Sequence, residues 1–258
     1  MKFGIELGFQ LPRPWSQESE VELYESRLEI AQLADQLGFD SLWVEEHHFL
    51  EEYCHLSSPE VFLAACTQRT SHIRLGFGVM LLPPMINNPV RSAEKVAALD
   101  LLAKGRIELG VGASSDRLGT TAWGVDWDRR QEMTEEVLRQ VARMMVEEPY
   151  RGYDGVHFSF PARNVLPKPQ QKPHPPLWLA CSHRESILKA ARLGIGALSF
   201  SFTDLDTTKQ WVDAYHETFK REAIPIGYSI NPNLSVLSRL ICSPTDSEVS
   251  RIQDKVHF

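Results

Sequence analysis

The sequence predicts a fold of the α/β class, in which strands of a parallel sheet alternate with helices. Two observations predict this class. Short apolar runs, polar loops and amphipathic helices follow one another almost from the first residue to the last. In addition, a hydrophobic content of 43% over 258 residues is enough to bury one large core. We therefore expect a single domain over residues 1–258.

The first strand and the first helix are predicted over residues 2–9 and 19–37. Gly38 follows the helix as a residue suited to end it, and the sequence SLWVEE at 41–46 predicts the second strand. The residues of the helix that are expected to face inward are Leu23, Ile30, Ala34 and Leu37.

The same plan continues through the middle of the chain. Asn88 and Pro89 are an N-cap and a first helical residue, and Gly105 is suited to end the helix that they begin. The predicted elements are a helix near 58–69, a strand over 74–82, a helix over 89–103, a strand over 106–112 and a helix over 129–148. The residues of the last helix that are expected to face inward are Met133, Val137, Val141 and Met144.

Residues 149–176 interrupt the alternation without ending the domain. Glycines predict a hairpin there, and the prolines that follow exclude a helix. The pattern then resumes, and Ser243 and Pro244 predict the start of a last helix. The predicted elements are a strand over 177–180, a helix over 183–193, a strand over 196–202, a helix over 205–221 and a strand within 234–242.

Seven strands at this spacing predict a (β/α)8 barrel, also called a TIM barrel, more readily than an open doubly wound sheet. The eighth strand of such a barrel is missing after the seventh, so we expect either a shortened chain or another element that covers the exposed strand edges. Both possibilities stay open.

Composition and charge exclude several classes of function. The net charge is -7, and no run of lysine or arginine predicts binding to nucleic acid or to an anionic membrane. No apolar run reaches the length of a membrane span, and no signal peptide is expected, so a cytoplasmic location is predicted. The four cysteines are far apart and are expected to be reduced thiols. A small organic molecule is the expected partner.

Because chemistry in a barrel takes place at the carboxyl ends of the strands, the residues there are the candidates for a site. The second strand ends in Glu45, Glu46, His47 and His48. Tandem histidines suit acid-base work near neutral pH, or metal ligation, or simple hydrogen bonding that finishes the strand. The other strand ends offer only His183 as a further ligand, so no metal site is predicted.

Glycines and a capping sequence lie at other strand ends. Gly76, Gly78, Gly110 and Gly112 either leave room for a flat ligand or serve tight bends of the barrel. The run from Gly110 is not a dinucleotide fingerprint, because Ser115 occupies the third glycine position and residues 116–119 are not expected to open a helix. The sequence SHRE at 182–185 matches a capping box, whose helix start is suited to hold a phosphate.

Several of these stretches, in order along the chain, resemble the bacterial luciferase family of flavin-dependent monooxygenases. The resemblance covers residues 1–242, and the combined motifs are specific to the superfamily. The stretches are KFGIELGFQ from residue 2, GFDSLWVEEHHF from 38, LGFGVMLLP from 75, NPVRSAEKVAALDLLAKGRIELGVG from 88, WGVD from 123 and PPLWLACS from 175.

The resemblance implies a luciferase-like barrel that binds reduced FMN supplied by a separate flavin reductase. O2 adds at flavin C4a, and the resulting hydroperoxyflavin oxidises a small organic substrate. His47 is the implied active-site histidine beside the flavin, supported by His48 and Glu46. Gly78 and Val79 fall where the family has a cis peptide under the flavin ring. The remaining implied cofactor-binding residues are Met80, Gly112, Ala113, Ala180, Cys181, Ser182 and Ser186, the last four on a phosphate-binding turn.

Departures from the family pattern narrow the implied activity. Gly112 and Ala113 replace a reactive cysteine and a phosphate-binding arginine of the light-emitting members, so a non-luminous monooxygenase is implied. Two alternatives are kept: a relative that transfers hydride with a deazaflavin, and a non-catalytic flavoprotein or partner subunit. A homodimer or heterodimer is implied, through helices at 58–69 and 89–103. Aromatic and apolar residues that either shape a substrate pocket or belong to the core are Phe9, Trp15, Met80, Trp123 and Phe200.

Overall fold

Seven parallel strands form the central sheet, which confirms the predicted α/β class. A computed structural model describes residues 1–200, 204–238 and 243–253. Within these residues each strand of the sheet pairs with the next one along the chain, apart from a short antiparallel hairpin of β5 and β6. The strands are β1 (Gly4–Leu7), β2 (Ser41–Val44), β3 (Arg74–Leu81), β4 (Ile107–Gly112), β5 (Tyr153–Asp154), β6 (Ser159–Phe160), β7 (Leu177–Cys181), β8 (Gly196–Phe200) and β9 (Leu234–Leu237).

The sheet is curled into a nearly closed barrel. Trp43 of β2 and Trp178 of β7 meet edge to face with ring centroids 5.4 Å apart, although β3 and β4 separate their strands. Such a contact requires the inner face of the sheet to be concave. In the described residues no eighth parallel strand is present, and β1 and β9 are the edges of the sheet.

Helices follow most strands of the barrel and bury their apolar sides against it. Leu23 and Ala34 are buried as predicted, whereas Ile30 and Leu37 are exposed. Leu28 and Ala31 are buried instead. The buried stripe of the helix is therefore centred on a different face, and Ile30 and Leu37 lie outside it. The helices are α1 (Ser19–Gln36), α2 (Pro59–Arg69), α3 (Pro89–Leu102), α4 (Arg117–Ala122), α5 (Arg130–Val146), α6 (Arg184–Arg192), α7 (Leu205–Glu222) and α8 (Asp246–Gln253).

The ends of several helices agree with the local chemistry of the sequence. Gly38 has a φ of 81° after α1, a conformation that favours glycine. The Asn88 side chain accepts hydrogen bonds from the backbone N–H groups of Val90 and Arg91 at 3.0 and 3.3 Å, which caps α3 as predicted. The four α5 residues that were predicted to face inward are all buried.

Two helix starts differ from the prediction. A short helix, α4, begins at Arg117, because the Asp116 side chain accepts from the N–H groups of Leu118 and Gly119 and caps it. The last helix begins at Asp246 and not after Ser243. The Ser243 hydroxyl lies 2.6 Å from a Glu248 carboxylate oxygen and so does not cap the helix. The parts of the predicted strands at 201–202 and 239–242 lie outside the described residues.

A polar network closes the amino-terminal end of the barrel. The Arg74 guanidinium pairs with the Glu108 carboxylate, which also accepts from Trp178 Nε1 at 2.7 Å. Arg74 Nη2 donates to Gln171 Oε1 at 2.9 Å, and both Gln171 N–H groups donate to Asp100 at 2.8 Å. Burial raises the pKa of Glu108, against the opposing influence of Arg74 and Trp178. The segment 149–176 therefore completes the base of the barrel through Gln171.

Candidate active site

Glu46 joins the carboxyl ends of β2 and β3. Its side chain is buried, and Oε2 accepts from the backbone N–H of Leu81 at 2.8 Å. Oε1 accepts from Asn87 Nδ2 at 2.8 Å and lies 3.0 Å from His48 Nε2. Because both oxygens of this buried carboxylate have polar partners, Glu46 fixes the position of His48 at the rim of the barrel. Nothing in the sequence singled out Asn87, which precedes the helix cap of α3.

Glu45 stands beside His47 in a second acid-histidine pair. Glu45 Oε2 lies 3.4 Å from His47 Nε2, and Glu45 Oε1 accepts from the backbone N–H of Phe9 at 3.3 Å. The His47 ring also meets the Tyr53 ring edge to face at 5.4 Å. Both histidines are therefore held by their own carboxylate, and both keep a small exposed surface.

The two histidines line a small, open cleft at the carboxyl end of the barrel. The unexpected helix α4 and the residue after it form the opposite wall, with Gly119, Thr120 and Trp123. The Trp123 ring meets the ring of His48 at 5.2 Å and that of Phe49 at 5.8 Å. Of the aromatic candidates from the sequence, Trp123 thus lies at the cleft.

The other residues in that group lie elsewhere. Phe9 and Met80 belong to the buried core. Trp15 is partly exposed and contacts His55 and Arg13, away from the residues that line the cleft. The side chain of Phe200 lies outside the described part of the structure.

Residues of β3, β4 and β7 that were predicted to bind cofactor meet on the inner face of the barrel. A Cβ atom placed on Gly112 would lie 2.7 Å from Val79 Cγ2 and 3.5 Å from Ala180 Cβ, so these three residues are neighbours. The peptide bond between Gly78 and Val79 is cis, in agreement with the resemblance. Met80 and Ala113 are buried, and their role in cofactor binding stays a prediction, like that of the others.

Two of the four glycines make room for the protein itself. A Cβ on Gly76 would lie 2.2 Å from Cε3 of Trp43, and a Cβ on Gly110 would lie 2.1 Å from the carbonyl oxygen of Phe77. The close approach that glycine permits is thus used inside the barrel at these two positions. The space at Gly76 and Gly110 is thus taken by the protein's own atoms, an outcome that the sequence did not predict.

The predicted phosphate turn lies at the start of α6, with a different capping arrangement. His183 and not Ser182 is the N-cap: its Nδ1 accepts from the N–H of Ser186 at 3.2 Å, and Ser186 Oγ accepts from the N–H of His183 at 3.3 Å. The box is shifted by one residue because an imidazole nitrogen takes the place of the expected hydroxyl. Ser182 is exposed at this rim.

Cys181, in the same turn, directs its side chain into the core. Its thiol is buried and lies 3.3 Å from the carbonyl oxygen of Leu179. Burial raises the pKa of Cys181 to about 12, so the thiol stays protonated at neutral pH. Any contact of this residue with a cofactor would therefore come from its backbone.

Glu6 is a site residue that the sequence did not reveal. It pairs in register with Trp43, whose ring lies inside the barrel, and so the Glu6 side chain belongs to the same inner face. Burial, together with the charge of Glu45, raises the pKa of Glu6 to about 7, against the opposing influence of His47. A carboxyl group that titrates near neutrality therefore stands next to the His47 pair.

The described residues contain no group of three or more histidine, cysteine, aspartate or glutamate side chains arranged to hold a metal ion. They also include no helix long and apolar enough to cross a membrane.

Comparison with known proteins gives relatives that include flavin-dependent monooxygenases. The uncharacterized protein y4wF of Sinorhizobium fredii is 36% identical over 174 residues, which cover 66% of this chain and 49% of that protein. The oxygenase component of the flavin-dependent trigonelline monooxygenase of Acinetobacter baylyi is 28% identical over 70% of this chain and 49% of its own length. The chain thus spans about half the length of the curated relatives that it matches.

A solved structure and a family model extend the match. The monooxygenase RslO1 from Streptomyces bottropensis is 29% identical, with a TM-score of 0.77, over 87% of this chain and 68% of that chain. The family model for luciferase-like monooxygenases matches residues 1–256. The barrel, the order of its strands and this match over nearly the whole chain lead to one conclusion: the chain belongs to the luciferase-like monooxygenase family.

Proposed function

We propose that this protein is the oxygenase component of a two-component monooxygenase that uses reduced FMN and O2 to oxidise a small organic substrate. The observation that supports this most directly is that two acid-histidine pairs and an apolar inner face both lie at the carboxyl end of a luciferase-like barrel. The trigonelline relative is flavin-dependent and is an oxygenase component. A separate flavin reductase is the partner that such a component requires.

The residues at this end of the barrel fit a flavin. Val79 and Ala180 are half-buried neighbours of Gly112, and together they offer a flat surface without charge, suited to a planar ring. The first turn of α6, with Ser182 exposed beside it, offers backbone N–H groups to a phosphate. When bound, reduced flavin would supply the electrons that activate O2.

The chain's own residues have three tasks in this proposal. His47 and His48 would hold and release protons at the cleft, because imidazoles gain and lose protons near neutral pH. Glu46 fixes His48, and Glu45 lies against His47 Nε2. Trp123 lines the cleft and its ring contacts that of Phe49, so these two rings would limit the access of water.

Binding and turnover test the proposal separately. Purified protein is titrated without oxygen with reduced FMN and with a reduced deazaflavin, and we expect the tighter binding for FMN. Tighter deazaflavin binding would favour the hydride-transfer alternative.

Turnover is then measured with a flavin reductase, NADH and ¹⁸O2 on a panel of small organic compounds, and incorporation of label is expected. The variant His47→Ala should lower this rate by about 10²-fold or more, as for the loss of a general acid or base. An unchanged rate would favour the non-catalytic subunit. Dimerisation through α2 and α3 and a cytoplasmic location remain predictions, the first of which sedimentation would test.

A further inference from the structure

Two carboxyl groups lie inside the barrel, that of Glu6 on β1 and that of Glu45 just after β2. Glu6 is level with Trp43 across the β1–β2 pairing, and Glu45 follows Trp43 by two residues. Because side chains alternate along a strand, Glu6 and Glu45 lie on the same inner face, one step apart. The geometry thus places two acids on the barrel wall next to His47.

Glu45 is the member of this group that contacts the histidine. Its Oε2 lies 3.4 Å from His47 Nε2, while Oε1 is occupied by the N–H of Phe9. Among the described residues no hydrogen bond to the Glu6 carboxyl group is found. Glu6 therefore acts on the pair through its charge and its proton and not by fixing a position.

Building on the proposed function, we propose that Glu45 is a positioning residue for His47 and that Glu6 and Glu45 together hold one exchangeable proton beside its imidazole. Glu6 and Glu45 lie in the stretches KFGIELGFQ and GFDSLWVEEHHF, but the resemblance assigns a role to neither of them. The partner of the proposed active-site histidine is thus a feature of this chain's own barrel wall.

Electrostatics agree with this geometry. Burial raises the pKa of Glu6 to about 7, and the charge of Glu45 adds to this shift, because two carboxylates that share a partly buried space disfavour each other's ionised form. The neighbouring Tyr53 and Cys54 do not compete for the proton at neutral pH, because burial and the charge of Glu45 raise the pKa of both groups, for Cys54 to about 12. His48 is paired with Glu46. Glu45 and His47 are therefore the neighbours left to exchange a proton with Glu6 in this proposal.

The chemical consequence is a short proton store. A proton passes between His47 Nε2 and Glu45 Oε2, and Glu45 is reprotonated from Glu6, which exchanges with solvent. No bond other than O–H and N–H changes, so each proton that His47 gives to a reacting group is replaced by one from the acid pair.

The first test needs neither cofactor nor substrate. In the full-length protein with ¹³C-labelled glutamate, the titration midpoint of the Glu6 carboxyl carbon is measured by NMR in the wild type, in Glu45→Gln and in the control Glu51→Gln. Glu51 is an exposed residue paired with Arg13 outside the barrel. We expect a lower Glu6 midpoint in Glu45→Gln and no change in the control.

The second test measures the chemical reactivity of the His47 imidazole. Diethyl pyrocarbonate modifies neutral imidazole, and mass spectrometry distinguishes modified His47 from modified His48. Removing the Glu45 charge at pH 6 should accelerate modification of His47 by about three- to tenfold, since a tenfold change in protonation is one pKa unit. His48, which keeps Glu46, is the internal control and should react at its wild-type rate.

The third test measures turnover as a function of pH. In Glu45→Gln we expect the pH profile of kcat to shift along the pH axis while the Kd for reduced FMN stays within about twofold, a pattern that mere loss of packing would not give. An unchanged Glu6 midpoint, or equal His47 reactivity in variant and wild type, would overturn the acid pair. Wild-type protein that never turns over with FMN would refute the proposed function, while the two measurements without cofactor would still decide the pairing.

Discussion

The two ends of the barrel use carboxylates in opposite ways. At the amino end, Glu108 is paired with an arginine and an indole N–H in a network that Gln171 and Asp100 complete. At the carboxyl end, Glu45 and Glu46 are paired with imidazoles that border an open cleft. A guanidinium keeps its charge at all ordinary pH values, whereas an imidazole changes its charge near neutrality. The choice of cation thus separates the end that stabilises the barrel from the end suited to proton chemistry.

The largest effect is expected from removing the arginine at the amino end. Arg74→Met leaves the Glu108 carboxylate nine-tenths buried without its charge partner, which should lower the free energy of unfolding by about 3 kcal/mol or more. Urea unfolding measures this loss. Glu46→Gln is the matched change at the other end and should cost less, since the amide can still accept from Leu81. Equal losses would show that both ends are equally structural.

Filling the inner face should be the next most harmful change. Gly76→Ala places a Cβ 2.2 Å from the Trp43 ring, and overpacking of this kind costs about 1–3 kcal/mol. Thermal unfolding gives the loss. Gly38→Ala is a useful control, because a Cβ there meets no atom within 4 Å, although the positive φ of 81° still carries a smaller cost. A wild-type melting temperature for Gly76→Ala would mean that the indole can move aside.

Neutralising Glu6 should stabilise the protein at alkaline pH. The folded pKa of Glu6 is about 7, above the ordinary value of 4.5, so its contribution to stability is present below pH 4.5 and is lost as the pH rises to about 7. Glu6→Gln removes this loss and should be more stable than the wild type by about 1–2 kcal/mol at pH 8, with little difference at pH 4.5. Urea unfolding at both pH values tests this, and a difference independent of pH would contradict it.

The smallest effect is expected from His174 at the amino end of the barrel, and it tests whether a group there changes its protonation with pH. His174 is buried, its Nδ1 bonds the carbonyl oxygen of Pro175, and its Nε2 accepts from the N–H of Tyr228 at 3.0 Å. Burial lowers the pKa of His174 in the folded protein. The contribution of the neutral imidazole to stability is therefore present above pH 6.5. It is lost as the pH falls below that value, because the unfolded chain then takes up the proton. His174→Gln should flatten this acid limb of the unfolding profile. An unaltered limb would assign it to other groups.

The sequence predicts those parts of the molecule that depend on neighbours in the chain. Asn88 and Gly38 act within one turn of a helix, and the acids and histidines after β2 follow directly from the end of that strand. Glu6 was not predicted, because its role depends on the strand that lies beside it in register. His183 replaced Ser182 as a cap through a geometric choice that the residue types alone do not fix.

Long-range contacts were likewise beyond prediction. Trp178 and Glu108 are 70 residues apart, and Arg74 and Gln171 are 97 residues apart, so no local pattern connects them. The helix α4 was not predicted, although Asp116, which caps it, is of a residue type that is strongly favoured at helix starts. The aspartate is thus the local signal for α4, the helix that together with Trp123 forms one wall of the cleft.

The position of Gln171 in the network at the amino end of the barrel has a consequence for synthesis. A ribosome adds about 5–20 residues per second, so the 63 residues from Glu108 to Gln171 take roughly 3 to 13 s. During that time Arg74 and Asp100 have been synthesised without their common partner. We expect nascent chains stalled before residue 171 to be cleaved readily by protease between β3 and β4, and chains stalled well beyond Trp178 to resist. The first half of the barrel thus becomes stably folded only after Gln171 of the second half has been synthesised.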